Sequence, residues 1–196
     1  GFKICSAGIT NSGQRLTKES IVFANQYISD QLDIELKEFV IASDTDSLYM
    51  ELTQLLLHRN PDLDYNDREE KIKRLLLLTD EMQTQSNNNL NSISQNLFNI
   101  GDQHHFELKQ EVIAEKAYWS GKRRYAMYIV NKEGLPIEEL DMKGLDIMKS
   151  NFPPYFRNFG KQLIENILFS KPKAEIDEFV MEFKKSVATI DWIHLL

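Results

Sequence analysis

Two aspartates that lie one residue apart between two apolar segments constrain this fold more than any other feature. The apolar segment Phe39–Ser43 leads into Asp44, Thr45 and Asp46, and a second apolar segment, Ser47–Leu52, follows. Short apolar runs on both sides of a polar turn predict an antiparallel β-hairpin with the acids at its tip. Because strand side chains repeat every second residue, both carboxylates would project in roughly the same direction if the turn stays extended.

This pair of carboxylates suits a hard cation. Mg²⁺ keeps several waters and takes only one or two carboxylates together with substrate phosphates. Asp is also common in turns, where its side chain bonds to nearby backbone groups, so the spacing alone leaves a plain turn as an equal alternative. A divalent cation would offset the repulsion between two acids beside apolar strands. This argument favours a metal site and metal-assisted phosphoryl chemistry.

The composition is that of a folded chain. Its 196 residues are 42% hydrophobic, enough for a core in one large domain or two small ones. The sequence has no apolar run long enough to span a bilayer and no secretion signal. We therefore expect a cytoplasmic protein with no membrane partner. Cys5 is the only cysteine, which excludes an internal disulfide and a zinc–thiolate cluster, and we expect it in the core.

A basic cluster stands out against the overall acidity of the chain. The net charge of −7 argues against a protein that coats nucleic acid through its overall charge. Lys122–Arg124 nevertheless form a run of three cations, followed by Tyr125 and preceded by Tyr118 and Trp119. Cations with aromatic neighbours at a hairpin could grip a phosphate backbone. A solvated basic turn is the alternative.

The spacing of apolar residues predicts helices alternating with antiparallel hairpins, which is typical of an α+β fold. The stretch Gln83–Asn96, rich in Gln, Asn and Ser, is expected to form a surface insertion or a flexible loop. We expect the leucine run Leu75–Leu78 in the core. The other predicted elements are a helix from a cap at Thr10 or Asn11 to Leu32, a helix Asp67–Met82, strands Phe106–Ile113 and Arg124–Val130, and helices Tyr155–Phe169 and Ala174–Ile190.

A second acidic group in the sequence does not meet the requirements of a calcium loop. Asp62, Asp64 and Asn66 have the spacing of the first ligands of such a loop. Its sixth position requires Gly and its twelfth requires Glu, but these positions hold Asp67 and Lys73. We interpret these residues as polar groups at the start of a helix.

Three short motifs, Ile9–Gln14, Ser43–Ser47 and Lys122–Ala126, resemble motifs of family B DNA polymerases and occur in the same order. Ile9–Gln14 resembles the start of the palm helix that follows the fingers, Ser43–Ser47 resembles the catalytic Asp-Thr-Asp-Ser hairpin, and Lys122–Ala126 resembles the Lys-Lys-Arg-Tyr motif that grips the primer. Asp141–Asp146 is similar to the segment that joins palm to thumb. Together these segments resemble the C-terminal half of such an enzyme, similar to the replicative polymerases of large double-stranded DNA phages.

The resemblance implies a fold, a domain boundary and two departures from the family pattern. It implies an α+β palm over residues 1–146, with a polar insertion at about 83–105, and the start of a helical thumb over 147–196. Where the family often has Tyr and Gly before the acids, this chain has Ala42 and Ser43. Arg123 stands where the family has Lys, a change that is not neutral where a donor enters a groove.

The resemblance also implies a role for each acidic residue of the site. Asp46 matches the catalytic carboxylate that binds both Mg²⁺ ions of a two-metal site, and Asp44 matches its less direct partner. Glu111 matches a nearby carboxylate that binds a metal transiently. The second essential metal-binding aspartate of the family comes before the first residue of this chain. No other cofactor is implied.

The basic motif is implied to bind primer–template DNA. Arg123 and Tyr125 match residues that touch the primer end of the duplex, while Lys122 and Arg124 match supporting phosphate contacts. In the implied reaction, the primer 3′ hydroxyl attacks the α-phosphate of an incoming dNTP and pyrophosphate leaves.

Because the upstream aspartate and the fingers are missing, we expect the chain to be inactive by itself. It would be a partial sequence, or one subunit of a split polymerase whose partner is the N-terminal half, in a bacterial host cell if phage-encoded. A non-catalytic acidic interaction domain with a polymerase-like palm is the alternative.

Overall fold

The computed structural model describes residues 2–44, 46–100, 103–149 and 151–189, with side chains described from Thr10 onward. Its contacts divide the chain into unit 1, Gly1–Gln110, and unit 2, Glu111–Leu196. Antiparallel sheets of two and three strands, accompanied by helices, confirm the predicted α+β class. The predicted palm–thumb boundary at residues 146 and 147 lies inside unit 2.

Unit 1 begins with a long helix, α1, over Phe2–Leu32. The helix starts earlier than predicted, so Thr10 and Asn11 are interior residues and not caps. Cys5 belongs to the part of α1 whose side chains are not described. The predicted end at Leu32 is confirmed, and Asp33 follows in the left-handed region with φ of 53°. Short polar residues adopt this conformation more readily than most, which explains the stop.

The predicted acidic hairpin is confirmed. Strand β1, Val40–Asp44, pairs antiparallel with β2, Ser47–Met50, and the register places Asp44 opposite Ser47. A bulge between Val40 and Ala42 shifts the register near the base of the hairpin. The strands form because their β-branched, aromatic and other apolar residues fit a pleated, half-buried surface.

Two further helices complete the regular structure of unit 1, and one corrects the sequence prediction. Helix α2 covers Thr53–Arg59, and α3 covers Arg68–Phe98. The expectation of an insertion or loop at Gln83–Asn96 is wrong, since this stretch continues α3. Leu90 and Ile93 are buried there, three residues apart on one helical face. Two apolar side chains among many polar ones were too sparse a signal to indicate a helix from sequence.

The ends of α3 follow the usual capping chemistry. The Asp67 carboxylate accepts a 3.1 Å hydrogen bond from the Glu70 backbone N–H at the start of the helix. Asn99 closes the other end with φ of 57°. Within the helix, Leu78 is 5% exposed but Leu77 is 68% exposed. The expectation that all four leucines are core residues is therefore wrong for Leu77, because a helix turns successive side chains through about 100°.

The main core of unit 1 joins α1, the hairpin, α2 and α3. Burial of apolar side chains drives this association. The fully or nearly fully buried members are Ile28, Phe39, Leu52, Leu55, Leu56, Leu63, Leu78 and Met82. A smaller cluster of Leu16, Leu90 and Ile93 links α1 to the second half of α3.

The last residues of unit 1, 103–110, form no strand, so the predicted strand Phe106–Ile113 is wrong before Val112. Its alternating pattern reflects an extended segment that lies along α3. Asn87 binds the backbone of Leu108, and the Gln83 side chain accepts from the Gln110 N–H. His104 and His105 lie in this irregular segment.

Unit 2 is built on an antiparallel sheet with the order β3–β4–β5. The strands cover Val112–Gly121, Arg124–Lys132 and Leu135–Lys143. Strand β4 was predicted and is central, with almost every residue from Tyr125 to Asn131 buried. Strand β5 was not predicted, because Pro136 and the acids Glu138 and Glu139 interrupt its apolar alternation.

Two helices follow a short 3₁₀ turn at Asp146–Met148. Helix α4 covers Pro154–Leu168 and α5 covers Lys173–Thr189, which confirms both predicted helices. The predicted end at Ile190 lies outside the described residues. Stacked rings hold α4 and α5 together, with the Phe159 and Phe183 centroids 3.6 Å apart.

Candidate functional site

The acidic turn lies at the tip of the β1–β2 hairpin. Strand pairing continues to Asp44 and Ser47, so only Thr45 and Asp46 connect the strands, and Thr45 lies outside the described residues. The backbone N–H of Asp46 donates to the Asp44 carbonyl at 2.5 Å. The Ser47 hydroxyl also donates to that carbonyl, at 3.0 Å. The turn is therefore tight and not extended, so strand alternation does not apply across it.

The two acids of the turn differ in exposure. Asp46 is exposed, while Asp44, at the end of β1, is half-buried. This difference agrees with their positions, since the tip of a hairpin meets solvent and the end of a strand is covered by its neighbour. Asp46 is accordingly the more accessible of the two carboxylates to a ligand from solution.

Asn25 on α1 fixes the start of the strand that leads to the acids. Its side-chain oxygen accepts hydrogen bonds from the backbone N–H groups of Phe39 and Val40, at 2.8 and 2.9 Å. Asn25 is buried, and Phe39 packs in the main core of unit 1. A buried amide that satisfies two successive backbone donors holds β1 in one position against α1. Asn25 was not predicted from the sequence, although a polar side chain on the apolar face of α1 could have indicated it.

The two carboxylates of the turn, from Asp44 and Asp46, are ligands of the type that a hard cation prefers. Two carboxylates are the number that Mg²⁺ commonly takes from protein when phosphates and waters complete the shell. Within the described ranges, no cluster of three His, Cys, Asp or Glu side chains is placed to hold a metal ion. An ion held by the carboxylates of this turn would therefore take its other ligands from phosphates and water.

The basic motif forms the turn between β3 and β4 in unit 2. Gly121 pairs with Arg124, and Lys122 and Arg123 connect the strands. Arg123 has a left-handed φ of 60°, and Lys122, Arg123 and Arg124 are all exposed. Gly144, at the end of β5, allows the close approach of this turn: a Cβ there would lie 2.1 Å from the Arg123 carbonyl oxygen. Three cations are thus presented at one end of the sheet.

One acidic residue, Asp146, offsets part of the positive charge of this basic turn. Arg124 lies 3.6 Å from Asp146, which also pairs with Lys149 at 2.7 Å. The hydrogen bond from Lys149, with the positive charges of Lys149 and Arg124, lowers the pKa of Asp146 below its usual range.

Tyr125 differs from its basic neighbours because it is buried. Its side chain is 5% exposed, and its hydroxyl donates to Asp141 at 3.4 Å. The Trp119 ring lies 6.0 Å from the Tyr125 ring, and the Lys143 ammonium lies 5.7 Å from the ring centroid. Trp119 was expected beside the basic run from its position in the sequence, but Asp141 and Lys143 were not, because they lie on β5 and are distant in sequence.

Glu111 is the first residue of unit 2 and directly precedes β3. Its side chain is exposed, and its carbonyl oxygen accepts a 2.7 Å hydrogen bond from the Glu133 backbone N–H. The acidic turn lies in unit 1, whereas Glu111 and the basic turn lie in unit 2.

The rejected calcium-like segment has a structural role. The Arg74 guanidinium binds both carboxylate oxygens of Asp62, at 2.8 and 2.9 Å. This contact lowers the pKa of Asp62 below its usual range. Asp64 accepts from the Asn66 backbone N–H at 2.9 Å, which stabilises the turn before α3.

Comparison with known proteins gives no assignment. No protein-family model matches the sequence, and no curated protein matches it significantly. Among the helices of the described residues, none is both long and apolar enough to cross a membrane.

Proposed function

We propose that this chain is part of a DNA-directed DNA polymerase of family B and contributes one catalytic carboxylate, Asp46, to a two-metal nucleotidyl-transfer site. The observation that carries the proposal is the acidic turn, with Asp46 exposed at the tip of a tight antiparallel hairpin. The hairpin belongs to the motif order that resembles this family. Its substrates would be primer–template DNA and a dNTP, and its site of action the cytoplasm of the host cell.

The anchoring of the hairpin supports a catalytic use of the turn. Asn25 and the buried Phe39 hold the base of β1, and the Glu51 N–H donates to the Phe39 carbonyl at 2.8 Å. A rigid base allows the tip to present a carboxylate in one place, which metal-assisted transfer requires. Mg²⁺ bound there would activate the attacking primer hydroxyl and neutralise charge on the leaving phosphate.

The basic turn supports the DNA-binding part of the proposal. Lys122 and Arg123 are exposed at a turn whose backbone is closely packed against Gly144. Cations on a fixed turn can position a duplex through its phosphates without reading its sequence. Tyr125 is buried and contacts Asp141 and Trp119. Its proposed role is to support the turn in the free protein and to contact the primer end when DNA is bound.

Metal binding by the chain itself is the first test. Mn²⁺, which accepts the same carboxylate ligands as Mg²⁺ and broadens nearby NMR signals, should broaden the amides of Ser43, Asp46 and Ser47. Asp46→Asn should abolish this broadening. The turn at Asp62 and Asp64 is an internal control with the same acid spacing, and Asp62 is already bound by Arg74. Equal broadening at both acidic turns would contradict a specific site at Asp46.

Activity requires a second component in this proposal, so the second test is reconstitution. The chain, co-expressed with the upstream half of a family B polymerase, should extend a primer in the presence of Mg²⁺. Asp46→Asn should reduce extension to background, while Asp80→Asn, an exposed acid on α3, should not change it. An Asp46→Asn complex that extends primers normally would support the non-catalytic interaction domain instead. Extension by the purified chain alone would contradict the need for an upstream half.

A further inference from the structure

The segment 103–110, which we call the α3 strap, is attached to helix α3 by side-chain amides of the helix. It is extended but forms no strand, and it lies along α3. Side-chain amides of the helix bind its backbone. The Asn87 amide nitrogen donates to the Leu108 carbonyl at 2.9 Å, while the Leu108 N–H donates to the Asn87 oxygen at 2.8 Å. Asn87 thus pairs with one strap residue as a neighbouring β-strand would.

Two more side chains of the same helical face continue this attachment. The Gln110 N–H donates to the Gln83 oxygen at 2.6 Å, and the ring nitrogen Nε2 of His104 bonds to the Asn91 oxygen at 2.9 Å. Gln83, Asn87 and Asn91 recur every four residues, which places them in one row along α3. The strap therefore runs antiparallel to the helix along a row of amides.

The geometry of helix and strand explains the match between this row and the strap. Four helical residues rise about 6 Å, and two extended residues span about 6.6 Å, so Gln83 and Asn87 meet Gln110 and Leu108 in step. On the N-terminal side of Leu108 the chain turns at His104–Phe106, where the Phe106 N–H donates to Nδ1 of His104 at 3.0 Å. That bond requires Nδ1 to be unprotonated, so Nε2 carries the proton and donates to Asn91.

The apolar attachment of the strap is small by comparison. Leu108 packs, half-buried, against the cluster of Leu16, Leu90 and Ile93. Phe106 is 42% exposed, and His105, Glu107 and Lys109 are also exposed. The hydrogen bonds of His104 are exposed, while those of Asn87 and Gln83 are half-buried. Few buried apolar contacts mark segments that open locally at low free energy. Helix α3 also contributes Leu78 and Met82 to the main core of unit 1, in which no strap residue is found.

We propose that the α3 strap is a detachable connection: it opens while unit 1 stays folded and thereby lengthens the free chain before unit 2. The strap ends at Gln110, and unit 2 begins at Glu111. Each released residue adds up to about 3.4 Å of reach. This inference does not depend on the proposed catalytic function.

Amide hydrogen exchange measured by NMR tests the opening. Asn87→Ala removes both bonds to Leu108, whereas Asn88→Ala, at the exposed neighbouring position, makes the same change of residue type on the same helix. In Asn87→Ala, the Leu108 and Gln110 amides should exchange at least about tenfold faster, with Leu78 and Met82 unchanged. Asn88→Ala should exchange as the wild type does. Equal Leu108 exchange rates in all three proteins would overturn the proposal.

A second pair of variants keeps the test decisive if Asn87→Ala fails to fold. Gln83→Glu retains an oxygen acceptor for the Gln110 N–H, while Gln83→Leu removes it. Only Gln83→Leu should accelerate Gln110 exchange. Acceleration that spreads equally through all of α3 would show global unfolding and overturn a detachable strap.

Discussion

Single polar residues in this chain hold structure that apolar burial by itself leaves undefined. Burial of Phe39 places the base of the acidic hairpin in the core, but burial is not directional. Asn25 adds direction, because its side-chain oxygen accepts hydrogen bonds from the successive backbone N–H groups of Phe39 and Val40. Arg59 acts similarly between α2 and α3, where it pairs with Glu81 at 2.5 Å, and the Tyr27 hydroxyl bonds to the same carboxylate at 2.7 Å.

Replacement of Asn25 should destabilise unit 1. Asn25→Ala leaves the N–H groups of Phe39 and Val40 without their acceptor, one of them buried, so we expect a loss of about 2–4 kcal/mol in the free energy of unfolding. Asn25→Asp keeps the acceptor and should lose less. Gln26→Ala, on the exposed face of α1, is the control. Urea denaturation followed by circular dichroism measures all three, and equal stability of Asn25→Ala and Gln26→Ala would contradict this role.

The contact of Glu81 with Arg59 should make stability depend on pH. The Arg59 hydrogen bond, with a further bond from Tyr27, lowers the pKa of Glu81 below its usual 4.5. The stabilisation is therefore present above pH 4.5 and is lost as the pH falls through the lower folded value. Because the Glu81 side chain is 41% exposed, we expect Glu81→Gln to cost under about 1 kcal/mol at pH 7.

The measurement for Glu81 is the midpoint of urea unfolding between pH 7 and pH 3. The difference between wild type and Glu81→Gln should shrink as the pH falls below 4.5. Glu38→Gln, at an exposed position before β1, serves as the control and should follow the wild type. A difference that stays constant over this range would show that the contact does not depend on the charge of Glu81.

At the scale of elements, the two tight turns of the unit 2 sheet depend on glycine in different ways. Gly134 lies between β4 and β5 with φ of 84° and has open space where a Cβ would stand. The preceding Glu133 is also left-handed, with φ of 51°, as a two-residue hairpin turn requires. Gly144 has φ of 66°, and in addition it faces the Arg123 carbonyl. Both positions carry backbone strain for other residues, but only Gly144 also lacks space.

Alanine substitutions at Gly134 and Gly144 distinguish the cost of backbone strain from the cost of a steric clash with the basic turn. Gly134→Ala should cost about 1–2 kcal/mol, which is the price of a left-handed alanine. Gly144→Ala should cost about 1–3 kcal/mol more, because its Cβ would displace the basic turn. Thermal unfolding gives both values, and NMR shifts of Lys122 and Arg123 should change only in Gly144→Ala. Equal costs would indicate that the turn moves away freely.

At the scale of the whole molecule, a chain of net charge −7 can bind DNA only through a local concentration of cations. The turn at Lys122–Arg124 is one such place. Lysines on and between α4 and α5 are the competing candidate, since they could follow duplex phosphates or simply face solvent; they are Lys161, Lys171, Lys173, Lys184 and Lys185. The proposed function assigns DNA contact to the turn.

The salt dependence of DNA binding distinguishes these two surfaces. Replacement of Lys122 and Arg123 by alanine should reduce the slope of log K against log salt concentration by about 0.9 for each phosphate contact removed. Lys184→Ala with Lys185→Ala removes the same charge from exposed positions of α5 and should leave the slope unchanged. Fluorescence anisotropy with a labelled primer–template gives the slopes. Equal reductions would contradict a specific role for the turn.

Local patterns in the sequence determined the acidic hairpin, strand β4, and helices α4 and α5. These elements follow from apolar periodicity and turn chemistry within about a dozen residues, so the signals that predict them lie within one segment of the sequence. The placement of two acids at a hairpin tip is of this kind. The assignment of that tip to catalysis stays a prediction from resemblance.

Tertiary structure alone decided the features that depend on residues distant in the sequence. Helix α3 continues through Gln83–Asn96 because a few buried side chains find partners on α1, and the amides around them bind the strap. Strand β5 forms because β4 offers it a ladder of hydrogen bonds despite its weak alternation. Asn25 meets β1 across more than a dozen residues. Such contacts cannot be read from local pattern, since their stability comes from burial and hydrogen bonding that exist only after the chain has folded.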